Sequence, residues 1–431
     1  MKRLLLIITI MTVILAGCSG QNNNDPATKG NENVDKQEQV KLTFAVNEQP
    51  QLPIEFWEIP VKKFMESHPN VTIEIVSQPS SNISSRDHLK TLLATGKFPD
   101  VMVMTSPGDF INSGSLLAFD EADLDYIADT SVGKFEGKNY VVPYKKQVGG
   151  VFYNKDMFEE MGLQEPENWE EFIALNEAIK AKGTTPISLG VKDGWPQLIT
   201  MSLLLSTDLL TDDPDWGKKR NAGEVAFADD NVVKVAEKYK KLTQSFTDES
   251  RSSISYTQMI EAFYNEQTAM YIMGSWTQAD DIRLEHDFEV GFFPMPNDND
   301  ANTIPVWLNE GLAISADTKH PEVAKAFVEF FVTDPEWAAQ FLQSEMLFPV
   351  TKEEVEYDKS DLRMEIEEKM KGYKQVENFY DMTGDAALLP GLQSFFDKMT
   401  VRMATDPNID VKKELELMDK EWEKANNNLN R

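Results

Sequence analysis

Short apolar runs alternate with helical segments from residue 40 onward, and this alternation restricts most of the chain to an α/β fold. The strand candidates are residues 42–46, 71–76 and 101–104, and the helix candidates between them are residues 59–67 and 86–95. Strands that are separated by helices at this spacing usually pair in parallel, as βαβ units. The sequence therefore predicts a mainly parallel sheet that is covered by helices.

The same alternation recurs in the second half of the chain. Asn168 and Gly183 bound a further helix, because an Asn side chain caps a helix start and Gly tolerates the backbone conformation that ends one. Pro321 and Pro335 each suit a first helical position, and residues 411–429 form an amphipathic helix candidate. Roughly 390 residues follow the polar N-terminal region, more than one hydrophobic core usually holds. We therefore predict two α/β lobes.

The N-terminus has the build of a secretory signal that ends at the only cysteine, Cys18. Lys2 and Arg3 precede an apolar run over residues 4–15, which is too short for a permanent membrane-spanning helix. The L-A-G-C ending resembles the bacterial lipoprotein signal. That resemblance implies removal of residues 1–17, acylation of Cys18 with palmitate-type chains, and anchoring to the extracellular face of the cell membrane in a Gram-positive-type envelope.

Composition excludes several classes of partner and of fold. Residues 18–39 contain almost no apolar side chains, so they cannot bury enough surface to fold and are predicted to be a flexible linker. The formal net charge of −30 argues against nucleic acid and anionic lipid surfaces as partners. Because one cysteine cannot form a disulfide framework, the hydrophobic core must stabilise the fold.

Catalytic and metal-binding motifs are weak in this sequence. The four histidines are scattered, and neither a G-x-S-x-G nor a G-x-x-x-x-G-K-[ST] motif is present. Residues 298–302 begin like a calcium loop, but Thr303 and Asn309 stand where that loop needs glycine and glutamate. We therefore expect no enzyme activity, metal or cofactor. An anchored polysaccharide-processing enzyme with two carboxylates across a cleft is the alternative.

Several stretches in a fixed order are more specific than any single motif. They are residues 98–101, 137–158, 263–276 and parts of 294–335. Their order and spacing resemble the extracellular solute-binding proteins of family 1, which include maltose-binding proteins and other sugar receptors of ABC importers. The resemblance runs from about residue 40 to the C-terminus. It implies two hinged α/β lobes of the periplasmic-binding-protein type II, three crossovers between them, and a solute held in the cleft.

The resemblance also suggests where the lobes begin and end. The predicted N-terminal lobe is residues 40–147 plus 279–343, and the C-terminal lobe is residues 148–278 plus 344–431. The crossings are expected near residues 147–150, 277–279 and 344–350. Gly149 and Gly150 suit the first crossing, because glycine absorbs backbone rotation at little cost.

Tryptophans in turn-like settings are the candidate sugar platforms, because a sugar presents apolar C–H faces beside hydroxyl edges. By the resemblance, Trp195 faces the cleft with Asp193 beside it as a hydroxyl acceptor, and Trp276 stacks on a sugar ring. Gln147 matches a polar ligand contact in the maltose-binding relatives. The full set of candidate solute-binding residues is Trp276, Trp195, Asp193, Trp307, Glu310, Gln147, Trp57 and Glu48.

The other four tryptophans are expected outside the site. Trp169, Trp337 and Trp422 lie on predicted helices and are assigned to packing. Trp216 lies among acidic residues and is predicted to be at the surface.

The expected ligand is a neutral oligosaccharide that the receptor passes to an ABC permease. Acidic residues beside the tryptophans favour a hydroxyl-rich ligand over an anion, although Lys145, Lys146 and Lys192 keep uronate-containing sugars as an alternative. No arginine cluster accompanies the tryptophans, which argues against a phosphodiester. We expect a monomer whose partners are permease subunits. A ligand-sensing subunit for a membrane sensor is the remaining alternative.

Overall fold

The computed structural model describes nine segments of the chain. They are residues 38–48, 53–78, 85–105, 107–130, 133–298, 303–308, 310–344, 347–389 and 391–429. Cys18, the signal sequence and most of the predicted linker lie outside these segments, so the predictions made for them stay predictions. Within the nine segments, no helix is both long and apolar enough to cross a membrane.

The described residues form eleven strands and fifteen α-helices. The strands are β1 (Val40–Asn47), β2 (Val71–Gln78), β3 (Val101–Met104), β4 (Val141–Pro143), β5 (Gln147–Asn154), β6 (Thr185–Ser188), β7 (Thr268–Gly274), β8 (Val290–Phe293), β9 (Thr303–Trp307), β10 (Gly311–Ile314) and β11 (Lys374–Glu377). The helices are α1 (Ile54–Ser67), α2 (Ser85–Ala94), α3 (Gly108–Asn112), α4 (Lys155–Met161), α5 (Trp169–Ala181), α6 (Pro196–Leu204), α7 (Trp216–Asn221), α8 (Asp230–Ser245), α9 (Tyr256–Tyr264), α10 (Gln278–Arg283), α11 (Pro321–Thr333), α12 (Pro335–Ser344), α13 (Asp361–Gly372), α14 (Leu392–Thr405) and α15 (Val411–Leu429).

The first sheet has the strand order β2–β1–β3–β10–β4. β1 pairs in parallel with β2 and with β3, as the sequence predicts, whereas β10 pairs antiparallel with β3 and β4. Its apolar face packs on α1 and α11 through Phe44, Phe64 and Phe327, all fully buried. We call this sheet and its helices the first lobe.

The second sheet has the strand order β11–β9–β5–β7–β6, with β8 also paired to β5. β5 lies at its centre, where its antiparallel partners are β7, β8 and β9. Nearly every residue of β5 is buried, because helices cover both faces of this sheet. We call this sheet and its helices the second lobe. Two α/β lobes are therefore present, which confirms the predicted fold class.

Within the described residues the chain passes between the lobes three times, and the three crossings lie side by side. Tyr144 belongs to the first core and Val148 to the second, so the first crossing runs between them. Lys146 exchanges two backbone hydrogen bonds of 2.9 Å with Phe348 on the third crossing. Gln147 pairs with Trp307 at the start of the second crossing. The hinge is thus a small hydrogen-bonded ribbon.

The predicted boundary at residues 278/279 is wrong. β8 and β9 both hydrogen-bond to β5, so the chain stays in the second lobe as far as Trp307 and crosses only before β10. Residues 275–277, where the crossing was expected, form a 3₁₀ turn that leads into α10. The third crossing also extends further than predicted, because Val350 and Tyr357 still pack on the first core.

Local signals place several helix ends correctly. The Asn168 side chain accepts a hydrogen bond of 3.0 Å from the Glu171 backbone N–H, and Gly183 has the left-handed φ of +90° just after α5. Leu415 and Met418 are buried on the inner face of α15, as its amphipathic pattern predicts. These ends depend on neighbouring residues alone, which is why the sequence is sufficient to predict them.

Trp216 corrects another expectation, since the structure buries it to 1 % exposure instead of placing it at the surface. Its ring contacts Phe227 and Phe379 in the second core. The neighbouring Asp212 and Asp215 are exposed. Acidic neighbours therefore do not predict whether an indole points into the core or toward solvent. Trp337 and Trp422 are buried on helices, in agreement with the prediction.

Candidate functional site

The carboxyl ends of strands from both lobes meet at the edge where the chain crosses. In the second sheet β7 ends at Gly274, opposite Gly149 near the start of β5, and β6 runs parallel to β7. In the first sheet β3 ends at Met104, paired with Gly311 directly after the second crossing. Ligands of open α/β sheets bind outside the carboxyl ends of strands. The candidate site is therefore the cleft between these two edges.

Four aromatic side chains of the second lobe form two ring pairs at this edge. The Trp195 and Tyr256 ring centroids are 4.7 Å apart, and the Trp276 and Trp307 centroids are 5.3 Å apart with an edge-to-face angle of 68°. Burial raises the pKa of the Tyr256 hydroxyl, and the nearby Trp276 side chain opposes that shift in part. We call Trp195, Tyr256, Trp276 and Trp307 the aromatic array. Three of its members were predicted, and the ring of each contacts another member of the array.

The members of the array differ in exposure. Trp195 is 36 % exposed, Trp276 and Tyr256 are half-buried, and Trp307 is only 4 % exposed. The Trp307 indole N–H donates a hydrogen bond of 2.8 Å to Asp381 Oδ2. Trp307 therefore supports the array from within the second lobe, whereas Trp195 and Trp276 present ring surface at the edge.

Two glycines leave the space that the paired indoles of Trp276 and Trp307 occupy. Gly149 and Gly274 are direct partners across the antiparallel pair β5–β7, so any side chains there would point to the same face. A Cβ on Gly274 would overlap the Trp276 ring, and one on Gly149 would lie 2.7 Å from the Trp307 ring. The sequence analysis explains Gly149 by backbone freedom at the hinge. The structure gives a different reason, because the Trp307 ring packs closely against the backbone at this position.

Asp193 lies beside the exposed end of the array. Its side chain is exposed, and its Oδ2 accepts a hydrogen bond of 2.7 Å from the Tyr256 backbone N–H at the start of α9. This bond holds the turn that carries Trp195 against Tyr256. Asp193 is thus linked to two members of the array. It precedes Trp195 by two residues, and its carboxylate binds the backbone of Tyr256.

Glu310 and Gln147 lie at the crossings. Both Glu310 oxygens bind residues that precede β5: the Tyr144 hydroxyl donates a hydrogen bond of 2.6 Å, and Lys145 forms an ion pair. Gln147 is half-buried, and its backbone is paired with Trp307. Glu310 therefore joins two crossings of the hinge, and each of its carboxylate oxygens already has one partner from the protein.

The two candidates that follow β1 have different outcomes. Trp57 lies in α1 and is 1 % exposed, with its ring against Phe44 and Phe331 at centroid distances of 6.1 Å. The prediction of a solute contact at Trp57 is wrong, because the amphipathic pattern of α1 turns this indole into the first core. Glu48 follows β1 at the carboxyl edge of the first sheet and accepts a hydrogen bond from the Ser77 hydroxyl.

Sequence reasoning missed Tyr256 and Asp381. Tyr256 directly follows Ser255, which caps α9 with Gln258 in a capping box, so the sequence indicates a helix start but not its neighbour Trp195. Asp381 follows β11, and nothing near it in sequence indicates Trp307. Both contacts join residues more than 60 positions apart, which only the folded chain brings together.

The charged groups near the site are mostly engaged. Lys146 donates to Gln375 at 3.0 Å, and burial lowers the pKa of its ammonium group. The Glu377 Oε1 accepts hydrogen bonds from the Thr383 N–H and hydroxyl at 2.6 and 2.7 Å, and burial raises the pKa of its carboxyl to about 7. Among the described residues no three His, Cys, Asp or Glu side chains group as metal ligands do.

Residues 51–337 match the sequence profile of the bacterial extracellular solute-binding proteins. The chain belongs to this family. A multiple sugar-binding protein of Streptococcus mutans is 27% identical over 350 residues, which cover 77% of this chain and 78% of that protein. The family and this relative are binding proteins, so the chain is a binding protein of this class and not an enzyme.

Solved structures of similar fold cover nearly the whole chain. The ligand-free form of RafE from Streptococcus pneumoniae has a TM-score of 0.74 at 20% identity, over 90% of this chain and 99% of that one. RafE in complex with raffinose has a TM-score of 0.67 at 21% identity, over the same shares. A chitin oligosaccharide binding protein has a TM-score of 0.73 at 24% identity, over 90% and 99%. At these identities the similarity establishes the two-lobed fold.

Proposed function

We propose that this protein is a carbohydrate receptor that binds an oligosaccharide in the cleft between its lobes. The observation that carries the proposal is the aromatic array, which combines exposed indole surface with the Asp193 carboxylate at the carboxyl edge of the second sheet. Sugar rings stack their C–H faces on aromatic rings, and their hydroxyls donate to carboxylates. Trp195 and Trp276 supply the platforms in this proposal, and Tyr256 and Trp307 orient them.

The two exposed platforms, Trp195 and Trp276, belong to different ring pairs, which favours a ligand of more than one sugar unit. The relatives support the same class, because one is named a multiple sugar-binding protein and another is solved with raffinose. Lys145 and Lys146 are bound to Glu310 and Gln375, which leaves them poorly placed to recognise a uronate. Lys192 is exposed but adjacent in sequence to Asp193, whose negative charge disfavours an anionic sugar there. A neutral oligosaccharide is therefore the ligand that we propose.

In this proposal the receptor works on the extracellular face of the membrane and delivers its ligand to an ABC permease. Cys18 would carry the lipid anchor, with residues 19–39 as the tether to the first lobe. The family supports the partnership with an importer, and the L-A-G-C ending supports the anchor. A receptor without an outer membrane to confine it needs such an anchor to stay near its permease, and a monomer suffices for this role.

Thermal unfolding of the purified Cys18→Ser chain against a matched panel tests the ligand class. The panel is raffinose, stachyose, N-acetylglucosamine oligomers, glucose, a uronate disaccharide and glycerol 3-phosphate. A ligand that binds only the folded state raises the melting temperature by mass action. We expect a concentration-dependent rise with at least one neutral oligosaccharide and none with the phosphate ester. A panel in which every sugar leaves the melting temperature unchanged contradicts the proposal.

A further inference from the structure

Four parallel strands of the second sheet place the cleft residues in a fixed spatial order. β6, β7, β9 and β11 run in the same direction, because β5 pairs antiparallel with both β7 and β9. Trp195 follows β6, Trp276 follows β7, Trp307 ends β9, and residues 378–385 follow β11. Neighbouring strands are about 4.8 Å apart, so the edge from β6 to β9 spans roughly 14 Å, the length of a few sugar units. The cleft therefore has two distinguishable ends, at β6 and at β11.

The second lobe leaves the β6 end of the cleft accessible. Lys192, Asp193 and Trp195 lie in the turn before α6, and all three are exposed. Exposure then falls along the array, from 36 % at Trp195 to 4 % at Trp307. A ligand can therefore extend into solvent past Trp195, whereas the edge becomes more enclosed toward β9.

The β11 end is closed by direct contact between the lobes. The loop at residues 133–137 of the first lobe meets residues 383–385 of the second, and we call this contact the end wall. The Glu136 backbone N–H donates to both carboxylate oxygens of Asp385, at 3.2 and 3.0 Å. The Asp385 backbone N–H donates to the Lys134 carbonyl at 3.2 Å. The end wall is thus a hydrogen-bonded join between the two lobes.

The end wall contains no gap that a sugar ring could pass. A Cβ on Gly384 would overlap the Lys134 carbonyl oxygen, so the two backbones touch at this point. A Cβ on Gly133 would lie 3.2 Å from Thr383 Oγ1, so the neighbouring position is also in close contact. A carbohydrate chain that lies along the cleft must therefore end before it reaches these residues.

A narrow pocket lies between the end wall and the array. The polar side chains of Thr105, Asp129 and Thr383 line it. Leu308, which directly follows Trp307 in the chain, lines it as well. The space open to the centre of a water-sized sphere is about 30 Å³, enough for roughly two water molecules. The pocket therefore admits a hydroxyl or hydroxymethyl group of a sugar, but not a further sugar unit.

We propose that the cleft is closed at its β11 end, so that the receptor binds the terminus of a carbohydrate chain and not an internal segment. The terminal unit lies on the Trp276 and Trp307 side, with one hydroxyl or hydroxymethyl group in the pocket, and the chain continues past Trp195. Chain length is then limited at one end only. This inference rests on the proposed sugar binding for its ligand, whereas the closed end is a property of the ligand-free protein.

Two labelled forms of raffinose test whether one end of the ligand is enclosed. One form carries a bulky fluorophore on its galactose unit and the other on its fructose unit, and calorimetric titration compares each with raffinose. We expect one form to keep the Kd of raffinose, because its label extends past Trp195. The other should bind about ten- to hundredfold more weakly, the range for forcing extra atoms into a packed space. Equal Kd values for the two forms overturn the proposal, whether both bind or neither does.

A thiol test of the ligand-free chain does not depend on sugar binding. In the Cys18→Ser background, Leu308→Cys places a thiol at the pocket, and Ile254→Cys is the matched control, a half-buried apolar position at the β6 end. The reaction rates of a small and a bulky thiol reagent are compared at each position. We expect the bulky reagent to be selectively slowed at Leu308→Cys. Equal rate ratios at both positions overturn the closed end. If the ratios differ but raffinose does not bind, the closed end stands and the proposed ligand fails.

Asp385→Ala connects the thiol readout to the end wall. Without this carboxylate the Glu136 N–H loses its acceptor, so the loop is held less firmly against the second lobe. The bulky reagent should then react about two- to tenfold faster at Leu308→Cys, the range for the net loss of one hydrogen bond. Glu416→Ala, which removes an exposed carboxylate on α15, is the control and should leave the rate unchanged. An unchanged rate in Asp385→Ala overturns the assignment of the closed end to this contact.

Discussion

Gly149 and Gly274 face each other across β5 and β7, and two indole rings lie where their side chains would be. This glycine pair is the structural reason why Trp276 and Trp307 can meet at the carboxyl edge of the second sheet. The exposed surface of Trp276 is therefore fixed by backbone geometry on one side and by Trp307 on the other. A platform that is rigid before the ligand arrives loses little conformational entropy on binding.

Gly274→Ala should disturb the platform directly, because the added methyl group overlaps the Trp276 ring. We expect loss of the thermal response to sugar, with a destabilisation of about 1 to 3 kcal/mol from overpacking. Gly372→Ala is the control, since open space surrounds a Cβ there. Melting curves with and without raffinose measure both effects. Retention of the full sugar response in Gly274→Ala would show that sugar binding does not depend on the glycine pair.

Trp276→Ala and Trp57→Ala should separate binding from folding. Trp276 is half-buried at the edge, so its truncation is expected to abolish the sugar response while the ligand-free melting temperature falls by only a few degrees. Trp57 is enclosed by Phe44 and Phe331, so its truncation should cost about 3 to 5 kcal/mol of folding stability. Calorimetric titration and denaturant unfolding of both variants check this. The reverse pattern would show that Trp276 is a core packing residue and not a sugar contact.

Asp381 should act on the site through Trp307. Removing its carboxylate in Asp381→Ala leaves the buried indole N–H of Trp307 without this acceptor, which is expected to cost about 1 to 3 kcal/mol. Asp381→Asn keeps an acceptor oxygen and should recover most of that loss. Near-ultraviolet circular dichroism, which reports the coupling of the two close indoles, should change in the alanine variant and be restored in the asparagine variant. Identical spectra in all three proteins would show that Asp381 does not orient Trp307.

Glu377 should make stability fall as the pH rises from about 4.5 to 7. Its pKa in the folded protein is raised to about 7, so in this range the folded state binds more protons than the unfolded state does. Stability therefore decreases with increasing pH, because the buried carboxyl becomes harder to keep neutral.

Glu377→Gln removes this titration and keeps an oxygen for the Thr383 bonds. The unfolding free energy of the variant minus that of the parent chain is expected to increase by on the order of 1 to 3 kcal/mol from pH 5 to pH 8. Urea unfolding at several pH values measures the difference. A difference that is constant with pH would mean that Glu377 does not titrate in this range.

Replacement of Cys18 should change the location of the receptor and leave its ligand binding intact. In the proposed anchoring Cys18 carries the lipid, so Cys18→Ser is expected to move the protein from the membrane fraction to the medium. Fractionation followed by a binding assay on both fractions checks this. A Cys18→Ser protein that stays in the membrane fraction contradicts the lipoprotein assignment.

Short-range patterns were sufficient to predict much of the fold. The strands β1, β2 and β3, the cap at Asn168 and the burial of Leu415 each follow from residues within one or two turns. The second crossing was placed wrongly because Trp307 ends a strand whose partner, β5, lies more than 150 residues earlier. No local pattern reports which sheet a short apolar strand will join.

The residues of the site also divide into those that the local sequence predicts and those that it does not. Trp195 and Trp276 stand out in sequence because they lie in turns, and the fold places both at the cleft edge. Trp57 also follows a strand, yet the helix that carries it turns its ring inward. Tyr256 and Asp381 could not be predicted, since their significance depends on contacts with residues that are distant in the chain.

The central position of β5 has a consequence for how this protein must be made. Its partners β7, β8 and β9 lie more than 110 residues later in the chain, and β11 completes the sheet only at residue 377. The second lobe cannot assemble while most of the chain is still being synthesised, and pairing of such distant segments is slow. Under the proposed secretion this delay is useful, because the second lobe stays unfolded until almost the whole chain has been synthesised.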